Sequence, residues 1–214
     1  RHYKGGEFTS SKHYPTVIEG LDIFKESPLL FEPSTKYQYS SYGWNLLSAG
    51  IESIAGSPFL DYISREVFEE LDMKSTLAEF NDRIIPHRTA YYISGREDIL
   101  NAPYVDNSYK WAGGGFLSTT HDLVLFGKAH MNANYISQPS LDALMKPQSL
   151  TDGQSTNYGI GWRTYTDNQG IQWVGHSGGS VGGTTIFIMN KEEDMIIAIT
   201  GNRSSIRYGS LHFD

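Results

Sequence analysis

Residues 171–200 have the sequence IQWVGHSGGSVGGTTIFIMNKEEDMIIAIT, and this stretch decides the fold class. It contains runs of β-branched and aromatic residues separated by short polar or glycine-rich segments, and a similar run precedes it. The four runs are Tyr158–Thr166, Ile171–Val174, Thr184–Met189 and Met195–Thr200. Runs of this composition are typical of β-strands, and short turns join antiparallel neighbours. The C-terminal third is therefore predicted to form an antiparallel meander.

The chain before this region has the spacing of helices. Leu47, Ile51 and Ile54 recur at i, i+4 and i+7, which is the apolar stripe of an amphipathic helix. Gly56 is placed to end that helix, because glycine is the usual residue just past a helix C-terminus. We expect the stripe to pack against the rest of the protein.

Two further helix starts are predicted from capping residues. Ser57 is a common N-cap type and Pro58 suits the first helical position. Apolar residues then continue at helical spacing, at Phe59, Ile63, Val67 and Leu71. Thr119 and Asp122 have the spacing of a capping box, which predicts that another helix begins there.

Shorter helices are expected over residues 17–25 and after Ser137. Residues 74–110 contain Pro and Gly at intervals without a sustained period, which predicts a long irregular region of the kind that covers a site. Helices in one block and strands in another indicate an α+β fold, not alternating βαβ units. We expect a mainly helical lobe at 1–156 and antiparallel strands at 157–214.

Charge and composition exclude several classes of function. The 214 residues carry 17 Lys and Arg against 24 Asp and Glu, a net charge of -7, so no nucleic-acid partner is expected. No stretch approaches the roughly 20 apolar residues of a membrane helix, so we expect no integral membrane segment. The chain has no Cys, and none of its seven His, which include His212, forms a His-x-x-x-His pair. We therefore expect no metal site.

Residues 175–179, GHSGG, match the G-x-S-x-G nucleophile elbow, in which Ser177 would lie between a strand and a helix. The residues that follow, Val181–Thr184, are poor helix formers, so a helix beginning at Ser177 is not expected. The alternative is a glycine-rich strand whose small residues allow another backbone to approach closely.

Three ordered motifs resemble those of the class C β-lactamase-related serine hydrolases, which include penicillin-binding proteins. Within residues 32–43, EPSTKYQYSSYG, Tyr39 falls on the catalytic tyrosine of that family. Residues 111–119, WAGGGFLST, resemble its Gly-Gly-x-x-Ser-Thr segment, and residues 176–178, HSG, are similar to its Lys/His-Thr/Ser-Gly motif. Taken alone, a tyrosine at this position is more often a half-buried core ring.

The resemblance runs from Arg1 to about residue 202. Through Arg1-His2-Tyr3 and residues 103–115 it is closest to a subgroup with mitochondrial and bacterial members. It implies a β-lactamase/transpeptidase-like fold, with an antiparallel sheet flanked by helices and a mainly helical lobe. It also implies a mitochondrial location in a eukaryote, or a periplasmic or secreted one in a bacterium.

The resemblance further implies acyl transfer, with Tyr39 carrying the proton of a Ser nucleophile and the Gly179 N–H donating to the oxyanion. A free phenol has a pKa of about 10, so a phenolate at pH 7 needs nearby cations. His176 would be one of these cations, or would act mainly as a hydrogen-bond donor. The residues implied in substrate binding are Ser41, Trp111, Gly114, Ser177, Gly178 and Tyr104.

Three of these assignments have alternatives. Trp111 and Tyr104 are candidates for the site wall, but each is equally well explained as a core or surface aromatic. Ser41 stands where many relatives have Asn, which leaves a contact with the substrate amide open.

The nucleophile motif of the family is missing, because no Ser in this sequence is followed three residues later by Lys. In the family, Ser-x-x-Lys lies upstream of the position where this sequence starts. We therefore expect the C-terminal portion of a hydrolase, incomplete at its N-terminus and inactive alone, with an upstream segment completing its sheet edges.

Small peptides, esters or β-lactams are the expected substrates, with no cofactor, and the sequence leaves homo-oligomerisation open. The alternative function is that of a catalytically inactive relative used for binding or assembly.

Overall fold

The computed structural model describes residues 1–208. Within them lie six α-helices: α1 (Val17–Gly20), α2 (Ser41–Ala55), α3 (Phe59–Ile63), α4 (Trp111–Gly114), α5 (Thr120–Met131) and α6 (Gln138–Met145). Helical turns add to these: 3₁₀ turns at Gly5–Thr9, Leu21–Ile23 and Ser108–Lys110, and a π-helical turn at Ser64–Glu69. The helix predicted over 17–25 is thus divided between α1 and a 3₁₀ turn. The last six residues of the predicted 157–214 segment, among them His212, lie outside the described part.

The strands form two small pairs and one main sheet, all antiparallel. β1 (Leu77–Ala78) pairs with β4 (Phe116–Leu117), and β2 (Tyr92–Ser94) pairs with β3 (Ile99–Asn101). The main sheet has the order β5-β6-β7-β8, with β5 (Arg163–Thr166), β6 (Gln172–Ser180), β7 (Gly183–Asn190) and β8 (Met195–Gly201). The predicted meander and the α+β class are confirmed. The division of the chain at residue 156 stays a prediction.

Strand β6 is longer than the sequence predicts. The β-branched run ends at Val174, but the strand continues to Ser180, because Gly178 and Gly179 pair with the first residues of β7. A two-residue turn follows, in which Gly182 has a φ of 82°. Ser177 therefore lies inside a strand, so the nucleophile-elbow alternative is wrong.

Two clusters of buried side chains hold the lobes together. In the helical lobe, helices α1–α4 and strand β1 contribute Val17, Ala49, Phe59, Ala78 and Trp111. On the sheet, α5 packs through Gly127, where an added Cβ would lie 3.0 Å from Ile196. That second cluster comprises Met131, Trp162, Phe187 and Met189. The functional cleft lies between these two packed bodies.

The helix predicted from Leu47, Ile51 and Ile54 forms as α2, but its apolar stripe is not its buried face. Leu47 is 53% exposed and Ile54 is 92% exposed. The buried face carries Ser41, Tyr42, Asn45, Ser48 and Ala49. Helix α4 causes this, because an added Cβ on Gly113 would lie 3.0 Å from the Ser41 carbonyl oxygen. Small side chains at this helix contact allow so close an approach, which leaves Leu47 and Ile54 facing away, whereas Ile51 is partly buried against the helical core.

The predicted N-cap at Ser57 is wrong by one residue, because the N-cap of α3 is Pro58. Helix α3 begins at Phe59, whose N–H donates to the Glu52 carboxylate at 2.8 Å. Glu52 lies in the last part of α2 and so replaces Ser57 as the acceptor. The helix then continues as the π-helical turn at Ser64–Glu69. It ends before Leu71, the last apolar position of the predicted helix.

Three other helix boundaries are confirmed. Gly56 follows α2 with a φ of 65°. Thr119 Oγ1 accepts the N–H of Asp122 at 3.2 Å at the start of α5, and Ser137 caps α6. The Asp122 carboxylate does not complete a capping box, since it accepts from the Thr76 hydroxyl at 2.8 Å.

An ion pair between Arg1 and Glu7 and hydrogen bonds to residues at the start of α2 hold the first residues of the chain in place. The Arg1 guanidinium donates to both carboxylate oxygens of Glu7, at 2.8 and 2.9 Å. Glu7 also accepts from the Tyr42 hydroxyl at 3.1 Å, and Ser40 Oγ donates to the Arg1 carbonyl oxygen at 2.5 Å. These bonds place residues 1–7 beside the N-terminal end of α2.

The main sheet has two edges in the described part of the chain, because β5 and β8 each pair on one side only. Among residues 1–208, no helix has the length and apolar character that crossing a bilayer requires.

We expect Gly175→Ala to destabilise the protein by about 1–3 kcal/mol, the usual cost of overpacking. An added Cβ would overlap the Phe187 carbonyl oxygen and lie 2.7 Å from Cα of Ile188. Gly178→Ala on the same strand is the matched control, since an added Cβ there meets nothing within 4 Å. Urea unfolding of both variants measures the difference, and equal losses would contradict this packing.

Candidate active site

A cleft of about 1800 Å³ lies between the helical lobe and the sheet. Seven of the nine predicted site residues line it: Tyr39, Ser41, Gly114, His176, Ser177, Gly178 and Gly179. Segments far apart in the sequence therefore meet along one surface. The fold brings together the Tyr39 motif, the glycine-rich α4 segment and strand β6.

Trp111 and Tyr104 lie elsewhere. Trp111 is 7% exposed and packs in the helical core, with its ring centroid 5.3 Å from that of Phe80. Tyr104 is 60% exposed and is not part of the cleft wall. The structure therefore favours the core and surface alternatives for these two aromatics.

Tyr39 occupies the position just before Ser40, the N-cap of α2. Its half-buried ring contacts rings from both lobes, with centroid distances of 5.6 Å to His2, 5.9 Å to His176 and 6.1 Å to Tyr158. The helix fixes the backbone on one side of Tyr39, and the aromatic contacts fix the ring. This geometry suits a side chain that must hold one orientation toward the cleft.

His176 is held by two hydrogen bonds that define its tautomer. Nδ1 lies 2.5 Å from the Ser177 carbonyl oxygen, which can only accept, so Nδ1 carries the proton. Nε2 then accepts from the Tyr158 hydroxyl at 2.8 Å. Burial, and to a smaller degree the charge of Arg163, lowers the pKa of His176 below its ordinary value. In this arrangement His176 is neutral at pH 7 and has no free N–H, so it does not supply a cation to Tyr39.

Strand β6 has an open edge along the cleft. Its pairing with β5 stops at Gly175 opposite Arg163, whereas its pairing with β7 continues to Ser180. In the described residues, the stretch from His176 to Ser180 is thus paired on one side only. An open strand edge presents backbone N–H and C=O groups to an extended ligand. Gly178 and Gly179 leave space there, since an added Cβ at either meets nothing within 4 Å.

Ser41 and Gly114 complete the opposite wall. Ser41 is 5% exposed, and its backbone N–H donates to His2 Nδ1 at 3.3 Å. Gly114 is exposed at the end of α4 with a φ of 147°, a conformation that favours glycine. Ser41 therefore supports the wall more than it projects from it.

Sequence reasoning missed three residues of this site: His2, Tyr158 and Arg163. All three line the cleft. Arg163 is the only Lys or Arg between residues 158 and 190, a signal that could have identified it. His2 and Tyr158 offered no such signal, because their contacts join residues 39 and 18 positions apart.

No group of three or more His, Asp or Glu in the described residues could hold a metal ion. The cleft is lined by hydroxyl, imidazole, amide and backbone groups, by many apolar side chains, and by the charged side chains of Glu79, Lys110 and Arg163. Such groups suit proton transfer and hydrogen bonding to a carbonyl substrate.

The fold and this arrangement of motifs define a β-lactamase/transpeptidase-like protein. The chain belongs to the β-lactamase family, whose family model matches residues 4–210.

Curated relatives and a solved structure agree with this assignment. The chain is 33% identical to the serine beta-lactamase-like protein LACTB, mitochondrial, of Bos taurus, over 89% of this chain and 39% of that protein. It is 30% identical to penicillin-binding protein 4* of Bacillus subtilis, over 77% of this chain and 42% of that protein. The chain thus spans about two fifths of these relatives. A penicillin-binding protein from Bacillus halodurans shares the fold, with a TM-score of 0.78, 21% identity, and coverage of 93% of this chain and 62% of that one.

We expect the protein to lose stability as the pH falls below about 6.5. Burial lowers the pKa of His176, and of His130, below the 6.5 of the unfolded chain. The unfolded state then binds more protons, so this stability is complete above pH 6.5 and is lost as the pH falls through the folded-state pKa.

Urea unfolding between pH 7 and pH 5 tests this expectation. His176→Gln keeps a polar side chain that does not titrate, so its unfolding free energy should fall less than that of the wild type. If the unfolding free energies of the wild type and of His176→Gln fall equally between pH 7 and pH 5, the titration of His176 does not contribute to the loss of stability.

Proposed function

We propose that this chain forms one side of the active site of a serine hydrolase, which cleaves a peptide, amide or ester bond through an acyl-enzyme. The observation that carries the proposal is the meeting of Tyr39 with the open edge of β6 in one cleft. Membership of the β-lactamase family supports it.

The nucleophile would come from a segment outside these 214 residues. No Ser of this sequence has a Lys three positions later. The cleft supports this, because its 1800 Å³ exceeds the roughly 300–1,000 Å³ of a small-molecule site. Part of its wall is apolar and comes from α2, α3, the π-helical turn, β4 and α5. These side chains are Leu47, Ile51, Ile63, Val67, Phe68, Leu117, Leu123 and Phe126.

A protein segment with an apolar face fits that wall better than a substrate does. Leu47 is exposed and the other seven are partly buried, so covering them adds part of the roughly 1.5–3 kcal/mol that full burial of each side chain is worth. A helix seated there would cover the stripe of Leu47 and Ile51 and would bring a serine toward Tyr39. The same segment would supply the cation that His176 does not.

In the proposed reaction, the serine oxygen bonds to the substrate carbonyl carbon, and its proton passes to Tyr39. The tetrahedral oxyanion is held by backbone N–H groups, among them that of Gly179. When the bond to the leaving group breaks, Tyr39 passes the proton to the departing nitrogen or oxygen. Water then releases the acyl group and restores the serine.

We expect Tyr39→Phe to lower kcat/KM about 10²- to 10⁴-fold in the complete protein, because it removes the proton carrier. An activated ester is a suitable substrate. Tyr62→Phe is the matched control, since Tyr62 lies on α3 and outside the cleft wall. A Tyr39→Phe enzyme with most of its activity would remove Tyr39 from the mechanism and leave it as a packing residue.

Arg163 is the proposed partner of a substrate carboxylate. Its charge acts on Tyr37, Tyr158 and His176, and none of the ion pairs within residues 1–208 involves it. A guanidinium without an acidic partner, beside an open strand edge, suits the free carboxylate of a short peptide. A similar protein of Salmonella newport is named a putative D-alanyl-D-alanine carboxypeptidase, which is compatible with such a substrate.

We expect Arg163→Gln to raise KM roughly tenfold or more for a D-alanyl peptide with a free carboxylate, since hydrogen bonds to charged groups are worth about 1.5–3 kcal/mol. The amidated peptide should show no such change. Arg96→Gln, on an exposed turn, is the control. An equal effect on both peptides would contradict carboxylate recognition.

A further inference from the structure

We propose that His2 is a positioning residue that orients Tyr39 from the helical lobe, an inference that rests on the function proposed above. The motif Arg1-His2-Tyr3 has no part in the chemistry derived so far. Its central residue lines the cleft and contacts two parts of the Tyr39 motif.

The first contact is with the backbone. The Ser41 N–H donates to His2 Nδ1 at 3.3 Å. Ser41 is the first residue of α2, and the first N–H groups of a helix have no partner within the helix. Ser40 Oγ satisfies another of them by accepting the Gly43 N–H at 3.1 Å. His2 and Ser40 together therefore complete the N-terminal end of α2.

The second contact is with the ring of Tyr39. The imidazole of His2 meets it edge to face, at a centroid distance of 5.6 Å and an interplanar angle of 70°. The other two rings around Tyr39, those of Tyr158 and His176, belong to the strand-rich part of the chain. In the described residues, His2 is thus the aromatic contact of Tyr39 from the helical side.

The contact with Ser41 requires the neutral imidazole of His2. Because Nδ1 accepts from Ser41, the proton of the neutral imidazole lies on Nε2. Burial lowers the pKa of His2, which keeps the Nδ1 lone pair available at pH 7. The neighbouring residues hold the backbone of His2 in place: Ser40 binds the Arg1 carbonyl, and the rings of Tyr3 and Tyr42 meet at 4.8 Å.

Three substitutions separate positioning from a general structural role. His2→Asn can place a side-chain oxygen near the position of Nδ1, so it keeps the acceptor for Ser41. His2→Phe keeps a ring against Tyr39 but has no acceptor. His2→Gln carries its amide farther out, near the position of Nε2. His87→Asn is the control, because His87 is exposed and its φ of 60° suits Asn.

The experiment measures kcat, KM and Tm of the complete protein with an activated ester. We expect His2→Phe and His2→Gln to lower kcat roughly 10- to 100-fold with little change in KM or Tm, since a displacement of about 1 Å at a catalytic group costs about 100-fold. His2→Asn should keep most of the activity, and His87→Asn all of it.

Several outcomes would overturn the proposal. Wild-type kcat in both His2→Phe and His2→Gln would do so, as would an equal loss in all three His2 variants or a loss that follows Tm. If His2→Phe does not fold, the comparison of His2→Gln with His2→Asn decides. A wild-type protein without turnover would overturn the proposed function as well, whereas wild-type turnover with unaffected variants would overturn only the role of His2.

Discussion

The ion pair between Arg1 and Glu7 is the interaction on which the candidate site depends. The Arg1 side chain is 8% exposed and the Glu7 side chain is 26% exposed, and a pair withdrawn from water to this degree is tolerated only when its hydrogen bonds are complete. They are complete here, and the Arg1 guanidinium lowers the pKa of Glu7 to about 2. The pair closes residues 1–7 into a loop on Tyr42. This loop carries His2 to the N-terminal end of α2, and Tyr39 lies just before the N-cap of that helix.

A second constraint comes from the sheet. Strand β6 loses its β5 partner at Gly175 but keeps β7, so its last five residues present one free edge to the cleft. Tyr39 faces this edge from the other lobe. The chemistry proposed here needs both sides, because Tyr39 moves the proton and the strand edge holds the substrate backbone. It also needs the apolar wall of the cleft to be covered. The proposed segment that carries the nucleophile would cover this wall, including Leu47 of α2.

Local signals predicted the parts of the fold that depend on local physics. Thr119, Ser137 and Gly56 mark helix ends through bonds or backbone angles within a few residues, and all three were predicted correctly. The strand at Ser177–Ser180 was predicted only as the alternative to a nucleophile elbow, because glycine has low β-propensity and the strand exists through its pairing with β7. The periodicity of Leu47 and Ile51 revealed an apolar face but not what lies against it. Two contacts of the site depend on tertiary structure: the bond between Tyr158 and His176, and the bond between His2 and Ser41. The motifs that resemble the family do not predict either of them.

We propose that the nucleophile lies outside residues 1–214 and that Tyr39 and β6 form the opposite side of its site. Labelling the complete protein with a fluorophosphonate probe, followed by peptide mass spectrometry, tests this most directly. We expect one labelled serine, in a Ser-x-x-Lys sequence that is not part of these 214 residues. A label on Ser177, or on any other serine of this chain, would contradict it.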